Sequence, residues 1–241
     1  MPRRWTERGP MLLAVGWALL LTPESPAIKN RPPREARAVP AAVLITATNT
    51  TTRKTSPCSG VWIAPRAVLT AAHCVAGFDS WQVTAPYAQN GRLHATSRNA
   101  LAHPQFKLGH FEYDLAVIIL DEPLDLGFEP PRLRAGALHP IETPLIVVGR
   151  VANGMSAQDQ LYEASVTLVA FPGNVNVYGG HPQVTEPGDS GGPVVVARQQ
   201  KELAALISGY IPFSRANVPT DLLVPIDRLK RAWILQQVPK E

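Results

Sequence analysis

"TEPGDSGGPVVV", residues 185–196, decides how the rest of the chain is read. The valines form a strand-length apolar run, and a buried strand requires no Gly-Asp-Ser-Gly-Gly ahead of it. Glycines clustered there imply a backbone bent into conformations that other residues avoid, with the Ser190 hydroxyl held at the bend. With average residue usage, the hexapeptide GDSGGP arises by accident on the order of once in 10⁵ chains of this length.

Two other stretches supply residues that would give such a serine a task. "VLTAAHC", residues 68–74, places His73 directly before Cys74, and "FEYDLAVIIL", residues 111–120, places Asp114 at the mouth of an apolar strand. A serine hydroxyl is a weak nucleophile until a base removes its proton during attack. Histidine does this near neutral pH and can return the proton to the leaving group. A buried carboxylate holds the imidazole in the useful tautomer and stabilises its charged form. The tetrahedral intermediate carries an oxyanion, which needs preorganised N–H donors; the bend at Gly188 and Ser190 would supply them.

Around these stretches the chain reads as short strands. "AAVLITA", "SGVWIAP", "AVLTAAH", "LAVIIL", "PLIVVGR", "ASVTLVA", "GPVVVA" and "LAALISGYI" are strand-length, mostly rich in Val and Ile, and separated by turn residues. The 24 prolines and 17 glycines also favour turns over long helices. A helical period is sustained only in "PIDRLKRAWILQQV", where Ile226, Leu229, Trp233, Ile234 and Val238 share roughly one face and Asp227 is an N-cap. The expected class is all-β with one C-terminal helix.

Composition narrows the partners. Hydrophobic residues make up 45% of the 241 and charged residues 17%, a globular balance. A net charge of +4, with no basic run interleaved with aromatics, argues against nucleic acid. Residues 1–27 run from basic (Arg3, Arg4, Arg8) through the apolar "MLLAVGWALLL" to small residues ending at Ala27, the order of a secretory signal peptide. That apolar run falls short of the roughly 20 residues that span a bilayer, so no stable membrane anchor is expected. The mature protein is expected to be secreted or periplasmic, with Arg3-Arg4 leaving the export route open. Cys58 and Cys74 fit an oxidising compartment, either as one bridge or as two buried thiols. His94, His103, His110, His139 and His181 lack metal-ligand spacing, so neither a metal nor a cofactor is expected.

The order His73, Asp114, Ser190, in "SGVWIAPRAVLTAAHC", "YDLAVIIL" and "GDSGGP", resembles the chymotrypsin/trypsin family of serine proteases. The short loops resemble bacterial-type members. The resemblance implies two six-stranded antiparallel Greek-key β-barrels, a C-terminal α-helix and an active site in the cleft between barrels. It divides the chain into a signal peptide (1–27), an extended segment (28–40) and a protease domain of two barrel lobes (41–241), acting as a monomer on polypeptide substrates. It also implies a Cys58–Cys74 bridge, an oxyanion hole at Gly188 and Ser190, and a pocket built from Val184, Thr185, Ser208 and Tyr210. Val184 stands where basic-specific relatives carry an Asp, so an apolar residue before the scissile bond is expected. Ile207 replaces the histidine of acid-specific relatives. The family's activating terminus pairs with the residue before the catalytic serine, here Asp189; Ile28 is the candidate terminus and cleavage after Arg37 its rival. A catalytically silent, protease-like binding module is the alternative reading.

Overall fold

The structure is a computed structural model and describes residues 34–136, 139–152, 154–171, 176–211 and 219–240. The signal segment and Ile28 lie outside the described residues. In the N-terminal half, β1 (Arg34–Glu35) precedes β2 (Ala42–Thr48), β3 (Thr55–Ala64) and β4 (Ala67–Thr70). A 3-10 turn over Ala72–Cys74 then leads to β5 (Ser80–Ala85), β6 (Leu93–Ser97), β7 (Asn99–Ala102) and β8 (Ala116–Ile119). The C-terminal half contains β9 (Arg132–Leu133), β10 (Pro144–Gly149), β11 (Val151–Ala152), β12 (Met155–Ser156) and β13 (Tyr162–Ala170). It continues through β14 (Tyr178–His181), β15 (Pro193–Val196), β16 (Gln199–Ile211) and β17 (Thr220–Pro225) to helix α1 (Arg228–Gln237).

Both halves are built on antiparallel pairs, apart from short β9, which pairs parallel with β16. The C-terminal ladder runs β13-β10-β15-β16-β17-β14, and pairing of β13 with β14 shuts it into a six-stranded barrel. The N-terminal sheet runs β6-β5-β2-β3-β4-β8-β7. Only Arg98 separates β6, which pairs with β5, from β7, which pairs with β8, so the segment 93–102 links the two ends of the sheet and the expected two-barrel fold holds. Buried Ser97 ties the edges at one end, its hydroxyl donating to Ile119 O at 2.6 Å and accepting the Asn99 N–H at 3.0 Å.

All eight strand-length runs read from the sequence lie in strands. Nine further strands escaped that reading: the two-residue β1, β9, β11 and β12, and the longer β5, β6, β7, β14 and β17. In "SWQVTA" of β5, Trp81, Val83 and Ala85 are buried while Gln82 is exposed, so a short period-2 pattern carries the whole signal.

Apolar clusters fill each half and the seam between them. Val43, Ile45, Trp62, Val68, Trp81 and Val83 pack inside the N-terminal sheet, and Leu145, Val147, Val166, Leu168 and Ile207 inside the barrel. Val61, Leu69, Leu115, Leu206, Val224 and Ile234 join strands of both halves to α1. Each such side chain contributes roughly 1.5–3 kcal/mol on burial, so the seam fixes how the halves face each other.

Helix α1 is capped as expected, Asp227 accepting the Lys230 N–H at 2.8 Å. Its buried face differs from the apolar wheel: Leu229 is 78% exposed, whereas Lys230 is 1% exposed. The Lys230 ammonium pairs with Asp227 and stands 5.2 Å from the centre of the Tyr113 ring. His103 stacks between Tyr113 and Trp233, with ring centres 4.8 Å away on each side. An aromatic surface under the helix accepts a cation that a hydrophobicity pattern assigns to solvent.

Candidate active site

His73 sits on the 3-10 turn that ends β4, and Asp114 lies two residues before β8, which pairs with β4. That pairing brings together residues 41 positions apart. His73 Nδ1 lies 2.7 Å from Asp114 Oδ2, and the His73 backbone N–H donates to Asp114 Oδ1 at 2.9 Å. Ser208 of β16 donates its hydroxyl to Asp114 Oδ2 at 2.5 Å. Asp114 is thus buried but met by three donors, while His73 keeps a third of its side chain exposed. The outward nitrogen, Nε2, is the one left for a proton from elsewhere. A cavity of about 220 Å³ beside it is lined by Phe106, Gly109, His110 and Phe111 with His73, Asp114 and Ser208.

Ser190 lies on the loop between β14 and β15, its carbonyl oxygen 3.8 Å from the sulfur of Cys74, the residue after His73. Gly188 has φ +115° and Gly191 φ +82°, the left-handed region that glycine enters without strain. A Cβ on Gly191 would also collide with Thr70 Oγ1 and Ser59 O, so the glycine lets the loop press against β3 and β4. Ser59 of β3 grips the loop directly: its N–H donates to Ser190 O at 2.8 Å and its hydroxyl to Gly188 O at 3.0 Å. Thr70 donates to Ser59 O at 2.8 Å. The Gly188 and Ser190 N–H groups donate to no described residue, which leaves both available to a ligand oxygen. No hydrogen bond joins Ser190 Oγ to His73; such bonds often tighten only when substrate is bound.

Cys58 and Cys74 form the expected disulfide, joining β3 to the His73 turn. Their sulfurs and a His73 ring nitrogen lie within 4.8 Å of one another, but sulfurs bonded to each other are not thiolate ligands. The donor set does not suit a metal.

Beyond the loop, Val184 and Thr185 are buried side by side. Beneath them the sequence reading missed Asp221, a fully buried carboxylate at the start of β17. Asp221 accepts the Val184 N–H at 3.0 Å, the Thr185 N–H at 3.0 Å and the Thr185 hydroxyl at 2.6 Å. The expected pocket residues Ser208 and Tyr210 lie on β16, Ser208 buried with its hydroxyl on Asp114 and Tyr210 37% exposed.

Asp189 is also fully buried. Its Oδ1 accepts the Val151 N–H at 2.8 Å and its Oδ2 the Glu186 N–H at 2.9 Å. Burial pushes its carboxyl up to about 7; the Glu186 and Val151 N–H groups pull it down, and the charges of Asp221 and Glu186 add to the rise. Ser59, Thr70, Asp221 and Arg150, a buried arginine beside this loop, form contacts that no local motif announces.

This geometry has many counterparts. A serine proteinase of Drosophila melanogaster, stubble, is 26% identical over 225 residues, covering 76% of this chain and 27% of its own length. The chain therefore spans about a quarter of that relative. The HL collagenase structure superposes with a TM-score of 0.70 at 21% identity, over 85% of this chain and 96% of its own. A scabies mite inactivated protease paralogue superposes with a TM-score of 0.66 at 19% identity, over 84% of this chain and 95% of its own. At these identities the structures share a fold, and one of them is a protein described as inactivated. The sequence profile of the Trypsin family matches residues 28–233, and the chain belongs to the trypsin family.

Proposed function

We propose that this protein is an exported serine endopeptidase acting through an acyl-enzyme. Ser190 Oγ attacks the carbonyl carbon of a peptide bond while His73 Nε2 takes its proton. Asp114 holds the Nδ1–H and stabilises the imidazolium. The Gly188 and Ser190 N–H groups bind the oxyanion. His73 then protonates the leaving amine, and water, deprotonated by the same histidine, releases the acid. The observation that carries this reading is the His73–Asp114–Ser208 hydrogen-bond chain facing a Ser190 loop with two unused N–H donors. The inactivated relative keeps a binding module in view as the second reading. Retention of His73, Asp114, Ser190 and Gly188 favours the enzyme.

For specificity, Val184 favours an apolar side chain before the scissile bond. Asp221 is close, but its oxygens already accept two N–H groups and a hydroxyl, so its charge is committed to the pocket wall. Burying Lys or Arg there would demand a desolvated charge pair, whereas an aliphatic or aromatic group gains directly from burial. Residues 1–27 would direct export and be removed in its course.

A fluorophosphonate probe tests the chemistry. Labelling should map to Ser190 and disappear in Ser190→Ala; a folded wild-type protein that is neither labelled nor able to cleave any peptide in a library is the binding module. The same library reads specificity. Strong cleavage after Lys or Arg would hand the pocket to Asp221.

A further inference from the structure

Away from His73 and Ser190, a cleft of about 1330 Å³ lies between the two halves. Three segments line it: residues 37–41 ahead of β2, residues 128–132 running into β9, and residues 197–202 around the β15–β16 turn. Glu202 stands six positions before Ser208 on β16, so roughly 20 Å of strand separates the cleft from the hydrogen bond between Ser208 and Asp114. The cleft exceeds the roughly 300–1,000 Å³ typical of small-molecule sites, and its walls are stiff. Pro40, Pro130 and Pro131 fix their own φ angles, and Phe128 meets buried Trp62 edge-on with 6.0 Å between ring centres.

The rim of this cleft is basic. Arg132 on β9, Arg198 at the turn and Lys201 on β16 are exposed, and none forms an ion pair among the described residues. Arg37 is already met by Glu35 at 2.9 Å. Of the two acids in the wall, Glu202 is bound by Arg134 at 2.9 Å, which leaves Glu129. Three free cations therefore face one free carboxylate. Beside the cleft, a hollow of about 410 Å³ shares Pro131, Arg132 and Glu202 with it and adds Ile63, Leu133, Leu235 and Val238. Leu235 is 47% exposed there, although its neighbour Ile234 is fully buried. Cleft and hollow together form one groove, cationic along its first stretch and apolar along the next.

A nucleic acid or a sulfated polysaccharide asks for a dense run of cations, whereas here prolines and apolar side chains stand between them. An acidic peptide with apolar residues satisfies both stretches, its carboxylates meeting the rim and its aliphatic or aromatic groups the floor. The chain's own candidates fail. Residues 28–33, "IKNRPP", hold Lys29 and Arg31 and no acid, and in the acidic run 121–129 both Leu124 and Leu126 are buried. We infer that this groove is a docking site for an acidic, partly apolar segment of another protein, bound apart from the proposed catalytic centre. The site stands whether or not the protein hydrolyses peptides.

The test uses the full chain carrying Ser190→Ala, so that no probe is cut, and an array of fluorescein-labelled octapeptides. Each peptide carries four Asp or Glu and two of Leu, Phe or Pro. The tightest binder should saturate with a Kd below about 100 μM and weaken about ten-fold between 50 and 500 mM NaCl. Its analogue with Asn and Gln for the acids should bind at least about 30-fold more weakly, and its analogue with Ser for the apolar residues about ten-fold more weakly. Arg132→Glu, Arg198→Glu and Lys201→Glu together should weaken binding at least about 30-fold while melting within about 2 °C of the parent, because all three side chains are exposed. Leu235→Ser should weaken it about three-fold. If the triple variant melts early, the single substitutions decide, each expected to weaken binding about three-fold. The inference is overturned if no peptide saturates below about 100 μM, or if the neutral analogue or the charge-reversed protein binds as tightly as its parent. A heparin oligosaccharide that binds more tightly than any peptide, is lost on charge reversal and is indifferent to Leu235→Ser would give the rim to a polyanion and overturn it too.

Discussion

The two halves hold their parts of the site by different physical means. The N-terminal sheet carries His73 and Asp114 within a ladder braced by the Cys58–Cys74 disulfide and an apolar core around Trp62 and Trp81. Among its described residues only one charged side chain is fully buried, Asp114, and it is met by three donors. The C-terminal barrel has a closed ladder and no disulfide, yet it buries Arg150, Glu163, Asp189 and Asp221, with Lys230 of α1 beside them. The proposed base, His73, is held by a covalent bridge and a short hydrogen-bond chain. The proposed nucleophile, Ser190, is held by glycine geometry and buried charge. Covalent and apolar supports tolerate changes of pH, while buried charges make their loop sensitive to protonation.

The largest test of this contrast strikes the chemistry that the two halves share. Ser190→Ala should lower kcat by up to about 10⁶ while leaving the fold intact, and His73→Ala should fail comparably. Retention of more than a few per cent of activity by the purified S190A protein would mean that the two halves do not converge on one site.

Asp114→Asn isolates the N-terminal contribution. The amide cannot be the acceptor for the His73 N–H, Nδ1–H and Ser208 hydroxyl together. A loss of about 10⁴ in kcat is expected with little change in melting temperature. A loss below ten-fold would show that the imidazole is oriented by something other than this carboxylate.

The C-terminal charges should appear as pH dependence. Burial raises Asp189 from 3.8 to about 7, so the folded chain prefers this carboxyl protonated. Its stabilising contribution is complete below about pH 4 and is lost as pH rises to about 7, a span of no more than about 4 kcal/mol. Arg150, Glu186 and Asp221 are the charged groups around it. Urea unfolding of wild type and Asp189→Asn from pH 4 to 8 should show the wild type losing ground steadily up to pH 7. A constant difference between the two proteins would contradict the burial argument.

The disulfide is the mildest perturbation. Replacing Cys58 and Cys74 with serine reopens a loop of 16 residues and should cost about 3 kcal/mol, with activity largely kept below the new melting temperature. Unlike the Asp189 effect, this loss should be nearly the same from pH 5 to 8. A strongly pH-dependent loss would blur the distinction between the halves.

By itself, the sequence singled out His73, Asp114 and Ser190 as candidates and located the glycine-bent loop, eight of the 17 described strands and the Asp227 cap. Those features are local: a strand writes its burial into a period of two, and a strained bend writes itself as glycine. Tertiary structure alone decided what those residues touch. Ser59 reaches Gly188 across 129 positions, Arg150 reaches Ile45 across 105, and Asp221 meets Val184 across 37. Each is a single hydrogen bond across packed strands, with no period along the chain to announce it. The same holds for Lys230, which a helical wheel sends to solvent but the Tyr113 ring and the Asp227 carboxylate draw inward.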